Sequence, residues 1–277
     1  MRILVAGGAP FMARLVTDTL ESNGNQVFSS ASQSSIDTVL HLGIFDTPRD
    51  SVPDPRTSAC GLAAAIDLID AAVRSGVKRL LLLSSCAVYG EPANLPVTED
   101  APFAPISPFG EASVALEQCF RNFSMAYGLK TVVLRAFNIA GLAGLAGQLV
   151  PSIVEVARER AEFLEVYGED YSTHDGSCVR DYVHMRDVAD ALVLALEAAR
   201  TRSAVYNVGF GAGYSVLEVV EMARQVTRQR IPTEAEERRR GEPAAIISSP
   251  DRIMSDLGWQ PRHSELDVII DSVWRQD

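Results

Sequence analysis

Residues 105–114 read PISPFGEASV, the entrance to a helix where a proton-moving pair would be expected: a tyrosine and, four residues on, a lysine. Phe109 and Ser113 stand there instead. Phenylalanine neither donates nor accepts a proton, and serine carries no charge. A second stretch, GGAPFMA (7–13), lies between the apolar run RILVA and a helical pattern. Dinucleotide pyrophosphates bind at such turns, because backbone N–H groups and the helix N-terminus supply a positive end. The question is what chemistry survives beside a dinucleotide when the chain offers no such pair.

The elements that must position these residues belong to an ordinary globular chain. It has 277 residues, 47% hydrophobic and 22% charged, enough for one large domain or two coupled ones. The net charge of −11 repels phosphate backbones, so no nucleic-acid partner is expected. In EAEERRRGE (234–242) the arginines follow glutamates and read as a solvated helix face. Cys60, Cys86, Cys119 and Cys178 form no CxxC, and His41, His174, His184 and His263 are scattered, so neither a metal site nor a disulfide scaffold is expected. Met1 leads straight into an apolar strand, unlike a signal peptide. The runs LLLL (80–83) and ALVLALEAA (191–199) are too short to span a bilayer. A cytoplasmic protein with no membrane partner is the expectation.

Along the chain, RILVA (2–6), QVFSS (26–30), SIDTVLHLG (35–43), VKRLLLLSS (77–85) and TVVLRAFN (131–138) read as strands. Helices are predicted over FMARLVTDTLESNG, ACGLAAAIDLIDAAVRSG (59–76) and 109–127. Strands apolar enough to be buried on both faces, alternating with helices, predict an α/β fold with a doubly wound parallel sheet. After residue 139 the pattern breaks into AGLAGLAG and shorter elements, which suggests a smaller C-terminal lobe. Ligands in such folds sit beyond the strands' carboxyl ends.

VLHLG (39–43), LLLSSCAVYGE (81–91), SPFGEASVALE (107–117), VVLRAFNIAG (132–141), GSCVRDYVHMRDVADALVLALE (176–197), YNVGFGAGYSVLEVV (206–220) and RRRGEP (238–243) occur in that order. The succession resembles the extended short-chain dehydrogenase/reductases, most closely the sugar-nucleotide epimerases of the UDP-glucose 4-epimerase type, over nearly the whole chain. The resemblance implies a Rossmann-like core over 1–138, with 183–208 packing back onto it, and a substrate-binding lobe from 139–182 and 209–277. It implies a small-molecule substrate and a homodimer paired through the helices at 59–76 and 109–127. Against the cofactor it puts Gly7, Pro10, Phe11, Met12 and Arg14, then Ser29 and Ser30, Leu42 and Gly43, and Ser84 and Phe137. Around the substrate it puts Cys86, Tyr89, Phe109 and Asn138, with Arg180, Tyr182 and Arg239. Ser85 matches the first member of the family's Ser–Tyr–Lys relay and is the catalytic hydroxyl that remains.

The departures from the family pattern carry the functional expectation. GxxGxxG becomes Gly7, Pro10, Ala13; proline removes an N–H but suits a helix's first turn. The second strand ends in Ser29-Ser30 without the acid that binds a ribose 2′-hydroxyl, which favours NADP(H) while leaving NAD(H) open, with Arg14 as a phosphate partner. SASQS (30–34) then joins directly to the next strand, so the sheet is shortened. Oxidising a sugar alcohol needs a base, worth roughly 10²–10⁴ in rate. Reducing a ketone needs only stabilisation of the growing alkoxide, which Ser85, water or a neighbouring hydroxyl of the substrate can supply. Absence of both Tyr and Lys resembles the atypical ketoreductases of actinomycete antibiotic pathways and implies NAD(P)H-dependent reduction of a polyketide ketone. Two alternatives stand beside it. One is a nucleotide-sugar-binding pseudoenzyme whose Asn138, Arg180 and Arg239 hold a diphosphate, unless those arginines are ion-pair partners of Asp181, Asp187 or Glu242. The other is a UDP-sugar epimerase or dehydratase whose acid has moved to Tyr89, His184 or Cys86.

Overall fold

A computed structural model describes residues 1–30, 36–44, 47–141 and 148–276. The SASQS junction and the AGLAGLAG loop fall largely outside the described residues. The first half runs β1 (Arg2–Ala6), α1 (Pro10–Ser22), β2 (Gln26–Phe28), β3 (Thr38–His41), α2 (Pro48–Ser51), α3 (Arg56–Arg74) and β4 (Arg79–Ser85). A 3-10 turn (Cys86–Tyr89), α4 (Pro108–Tyr127), β5 (Lys130–Ala136) and β6 (Asn138–Ala140) complete it. The second half adds α5 (Leu149–Ala157), β7 (Leu164–Tyr167), β8 (Val179–Arg180), β9 (Tyr182–His184), α6 (Met185–Ala198) and β10 (Ala204–Val208). It closes with β11 (Tyr214–Ser215), α7 (Val216–Thr227), β12 (Thr233–Glu236), β13 (Ala245–Ile246), α8 (Asp251–Leu257) and α9 (Leu266–Trp274).

Six strands make one parallel sheet in the order β10-β5-β4-β3-β1-β2. Strand β4 shows why the sheet is covered on both sides. Its side chains alternate, so Leu80 and Leu82 pack with Ile69 of α3 and Leu116 and Phe120 of α4. Leu81 and Leu83 pack on the other face, with Val16 and Leu20 of α1 and Val188 and Leu192 of α6. Strand β2 stops at Phe28, short of the two serines expected within it.

A third apolar cluster, built from α5, α7, α9 and β7, lies beyond β6 and β9, whose pairing of Asn138 with Tyr182 joins it to the sheet. Residues 234–242 differ from expectation. They are not a helix; Thr233–Glu236 pairs in parallel with β7 and is exposed throughout. The segment has no apolar stripe for a helix to bury, while the edge of β7 offers it backbone partners. No described helix is long and apolar enough to cross a membrane.

Candidate active site

One cavity of about 1170 Å³ opens at the carboxyl ends of β1, β3, β4 and β5. It straddles the β1/β3 boundary, where strand order reverses. Its floor begins at the turn after β1. Gly7 and Gly8 take φ of +72° and +68°, and a Cβ on either would come within 2.7 Å of the 42–43 backbone or Leu42 Cβ. Only glycine lets the two turns approach so closely. Helix α1 starts with Pro10 at its first position, as its sequence suggests, and has no side-chain cap or acidic residue in its first turn. The Phe11 and Met12 amides therefore have no capping partner among the described residues at a positive helix end, and both residues line the cavity. These features fit a dinucleotide pyrophosphate.

Of the expected cofactor contacts, Phe11, Met12, Leu42, Gly43, Ser84 and Phe137 line this cavity. Gly7 and Pro10 shape its turn from behind. Arg14, with its side chain 86% exposed, lies 4.0 Å from Asp18 on the next turn of α1. Ser29 and Ser30 follow β2, and neither they nor Arg14 are among the described residues that line the cavity.

Ser85 lines the cavity and caps the 3-10 turn by accepting the Ala87 N–H at 3.1 Å, with the Cys86 sulfur as a neighbour for its own proton. Ser107 caps α4 through the Gly110 N–H at 3.1 Å, with Pro108 at the first helical position. That start aims Phe109 and Ser113 at the cavity. The Ser113 hydroxyl is spent on the Phe109 carbonyl at 2.8 Å. Cys86 also lines the cavity, and burial pushes its thiol up to about 12, which keeps it protonated and unreactive at neutral pH.

Tyr89 corrects the expected substrate contacts. It is 1% exposed and lies behind the wall, where its hydroxyl donates to Asn207 Oδ1 at 2.6 Å and accepts from Arg135 at 2.9 Å. Arg135 in turn holds Glu117 at 2.8 Å, and Glu117 accepts from Ser84 at 2.6 Å. This buried network pins α4 to β4 and β5. Composition does not reveal it, because Glu117 and Arg135 lie 18 residues apart on different elements. His184 is a correction too. It caps α6, its Nδ1 accepting the Arg186 N–H at 3.0 Å, and it does not line the cavity. Burial lowers its pKa to about 4, so the ring is neutral.

At the far end, Asn138, Arg180, Tyr182 and Arg239 line the cavity with Phe109 and Cys86. Asp181 and Asp187 are committed to loops: Asp181 accepts from Phe210, Gly211 and Ser248, and Asp187 from Arg262, His263 and Ser264. Both arginines instead meet Glu242, Arg180 at 3.4 Å and Arg239 at 3.8 Å. Sequence reasoning missed the wall formed by Val150, Phe163 and Tyr167. The run LVPSIVEVA (149–157), apolar on nearly every side, was the signal that α5 faces something besides solvent.

A doubly wound sheet, a glycine turn at the start of α1 and a hydroxyl at the end of β4 define a short-chain dehydrogenase/reductase of the extended type. The profile of the NAD dependent epimerase/dehydratase family matches residues 13–209, and the chain belongs to that family. It is 38% identical over 262 residues to the UDP-glucose 4-epimerase of Lacticaseibacillus casei, covering 90% of this chain and 78% of that one. With the enzyme of the same name from Corynebacterium glutamicum it shares 33% over 312 residues, 99% and 95% of the two chains. Among solved structures, the Stenotrophomonas maltophila UDP-glucose-4-epimerase with bound NAD and formylated UDP-arabinopyranose superposes with a TM-score of 0.87 at 30% identity, covering 99% and 97%. The Bifidobacterium longum UDP-glucose 4-epimerase with NAD+ and UDP gives 0.88 at 28%, with the same coverage.

Proposed function

We propose that the chain is an NAD(P)H-dependent ketoreductase acting on a polyketide-type aromatic ketone, with the proton supplied by the substrate or solvent. One observation carries this reading. At the end of β4 the cavity offers the Ser85 hydroxyl but no base beside it, since Phe109 is apolar, Ser113 is spent on its own helix and Cys86 stays protonated. The Gly8 turn and the Phe11 and Met12 amides would hold a nicotinamide cofactor, which would supply a hydride. Ser85 donates a hydrogen bond to the carbonyl oxygen and stabilises the charge that grows there. Phe109, Phe137 and Val150 line the cavity with apolar side chains that suit an aromatic ring. A phenol or tertiary alcohol next to the ketone then delivers the proton. The angucyclinone reduction of simocyclinone biosynthesis is the reaction type that the pattern of losses resembles.

On this reading residues 1–138 with 183–208 hold the cofactor, and 139–182 with 209–277 hold the substrate, in a cytoplasmic enzyme. NADP(H) is favoured over NAD(H) because no carboxylate follows β2; the solved relatives are described with NAD. A homodimer through α3 and α4 belongs to the same proposal, and Met125 and Tyr127 of α4 are 71% and 59% exposed.

The test is to follow oxidation of NADPH and NADH with an aromatic hydroxyketone, beside interconversion of UDP-glucose and UDP-galactose. Ketone-dependent oxidation without epimerisation supports the reductase; epimerisation alone overturns it. The second reading, a UDP-sugar epimerase or nucleotide-sugar binder, is favoured by the relatives and by Asn138, Arg180 and Arg239 in one cavity. It stands second because Tyr89 and His184 lie off the cavity and Cys86 does not titrate near neutrality.

A further inference from the structure

The chain contains only two lysines, Lys78 and Lys130, and folding brings both to one place. A second cavity, of about 410 Å³, opens at the amino ends of β4 and β5, on the opposite edge of the sheet from the catalytic cavity. Lys78 and Lys130 line it together with Arg79 and Arg200, and no acid lines it among the described residues. The strand register forces this grouping. Arg79 is the direct partner of Lys130 in the parallel pairing of β4 with β5, and the Lys130 N–H donates to the Lys78 carbonyl at 3.2 Å. Like charges opposite each other on neighbouring strands repel, so the arrangement works against the sheet unless something neutralises it. The surrounding chain does not. The last carbonyls of α3 accept the Gly76 and Val77 N–H groups at 3.0 and 3.2 Å, so the cations are not needed as caps. Asp37, whose carbonyl accepts the Lys78 N–H, has its carboxylate on the Arg2 N–H, and Asp70 is held by Arg74. Glu197 meets Arg200 at 2.8 Å, but both side chains are more than half exposed, where such a pair contributes little. Lys78, Arg79 and Lys130 make no ion pair or side-chain hydrogen bond among the described residues.

We infer that this cavity is a binding site for a diphosphate group, separate from the catalytic cavity and held by Lys78, Arg79, Lys130 and Arg200. Lysine supplies a point charge and arginine a planar fork of donors, the two side chains that best hold phosphate oxygens. A diphosphate carries enough charge to offset the three unpaired cations, which a singly charged anion does not. The chain's overall charge of −11 does not abolish the site. Exposed charges are screened beyond about 8 Å in physiological salt, so the nearest groups decide, and those lining the cavity are basic or uncharged. The same overall charge disfavours a long polyanion, which would run onto acidic surface. Binding removes the repulsion between β4 and β5, so it should stabilise the fold as well as occupy the cavity. None of this depends on which reaction the catalytic cavity performs.

The experiment is calorimetric titration of inorganic pyrophosphate, and separately of ADP, into the full chain and into Lys78→Ala, Lys130→Ala and Lys130→Arg, at fixed ionic strength. Both lysines are exposed, so the variants should fold, and the thermal midpoint without ligand checks that they do. Wild type is expected to bind, with a thermal midpoint that rises as the anion is added. Each alanine variant should bind about tenfold or more weakly, while Lys130→Arg, which keeps the charge, should stay close to wild type. ADP binding tighter than pyrophosphate, with the same dependence on the lysines, assigns the diphosphate to a nucleotide. ADP binding no tighter assigns it to the inorganic anion. Uptake of neither ligand by wild type overturns the inference. So does uptake that survives both alanine substitutions, because the anion would then sit in the catalytic cavity.

Discussion

At the residue scale the site is defined by what Ser85 can do and what Phe109 and Ser113 cannot. Ser85→Ala removes the hydroxyl that lines the cavity at the end of β4. Steady-state kinetics should show kcat for ketone reduction lower by about 10²-fold, with the thermal midpoint nearly unchanged. Replacing Phe109 by Tyr together with Ser113 by Lys tests the opposite case. Both side chains face the cavity, so the pair would restore a phenol and an ammonium where the family has them. A reductase whose substrate supplies the proton should gain little; a clear rise in UDP-galactose formation would mean a weakened epimerase.

At the element scale, two couplings hold the parts in register. The first is the turn from β1 into α1. Gly8→Ala puts a methyl 2.7 Å from Leu42 Cβ at a φ of +68°, so the turn must open. The thermal stabilisation given by NADPH should disappear, while the sheet itself survives. The second is the buried Glu117–Arg135 pair, with side chains 5% and 6% exposed, that locks α4 against β4 and β5. Glu117→Ala leaves the guanidinium uncompensated and should cost about 3–5 kcal/mol in urea unfolding. Adding Arg135→Met should recover part of that loss, because no orphan charge then remains. A single-variant cost below about 1 kcal/mol would mean that water reaches Arg135.

At the scale of the whole molecule, acid sensitivity should come from buried imidazoles. His41, at the end of β3, is held at a pKa of about 4 by burial, and its Nδ1 has no partner among the described residues. The folded chain keeps it neutral while the unfolded chain protonates it at about 6.5. Stability is therefore full above the unfolded pKa, falls as pH drops toward about 4, and levels off below. The gap between 6.5 and about 4 corresponds to roughly 3 kcal/mol. His184, 1% exposed, shifts in the same direction and to about the same value. Urea midpoints measured across this range should fall with pH, and a His41→Gln variant should flatten the curve; an unchanged slope would assign the loss elsewhere.

Much of this was legible along the chain. The runs RILVA and VKRLLLLSS announced strands buried on both faces, the proline at position 10 announced a helix start, and Phe109 and Ser113 announced the missing acid and base. These are local facts of backbone preference, side-chain period and functional-group chemistry. The partners were not legible. Tyr89 looked available until Asn207, 118 residues away, accepted its hydrogen bond, and the sequence left three acids open as partners for Arg180 and Arg239. Folding committed Asp181 and Asp187 to loop amides and left Glu242 for both arginines. Residue type and spacing determined which groups the chain carries. Only tertiary structure decided which stayed free, because a hydrogen bond or ion pair across the fold depends on distances that no sequence interval sets.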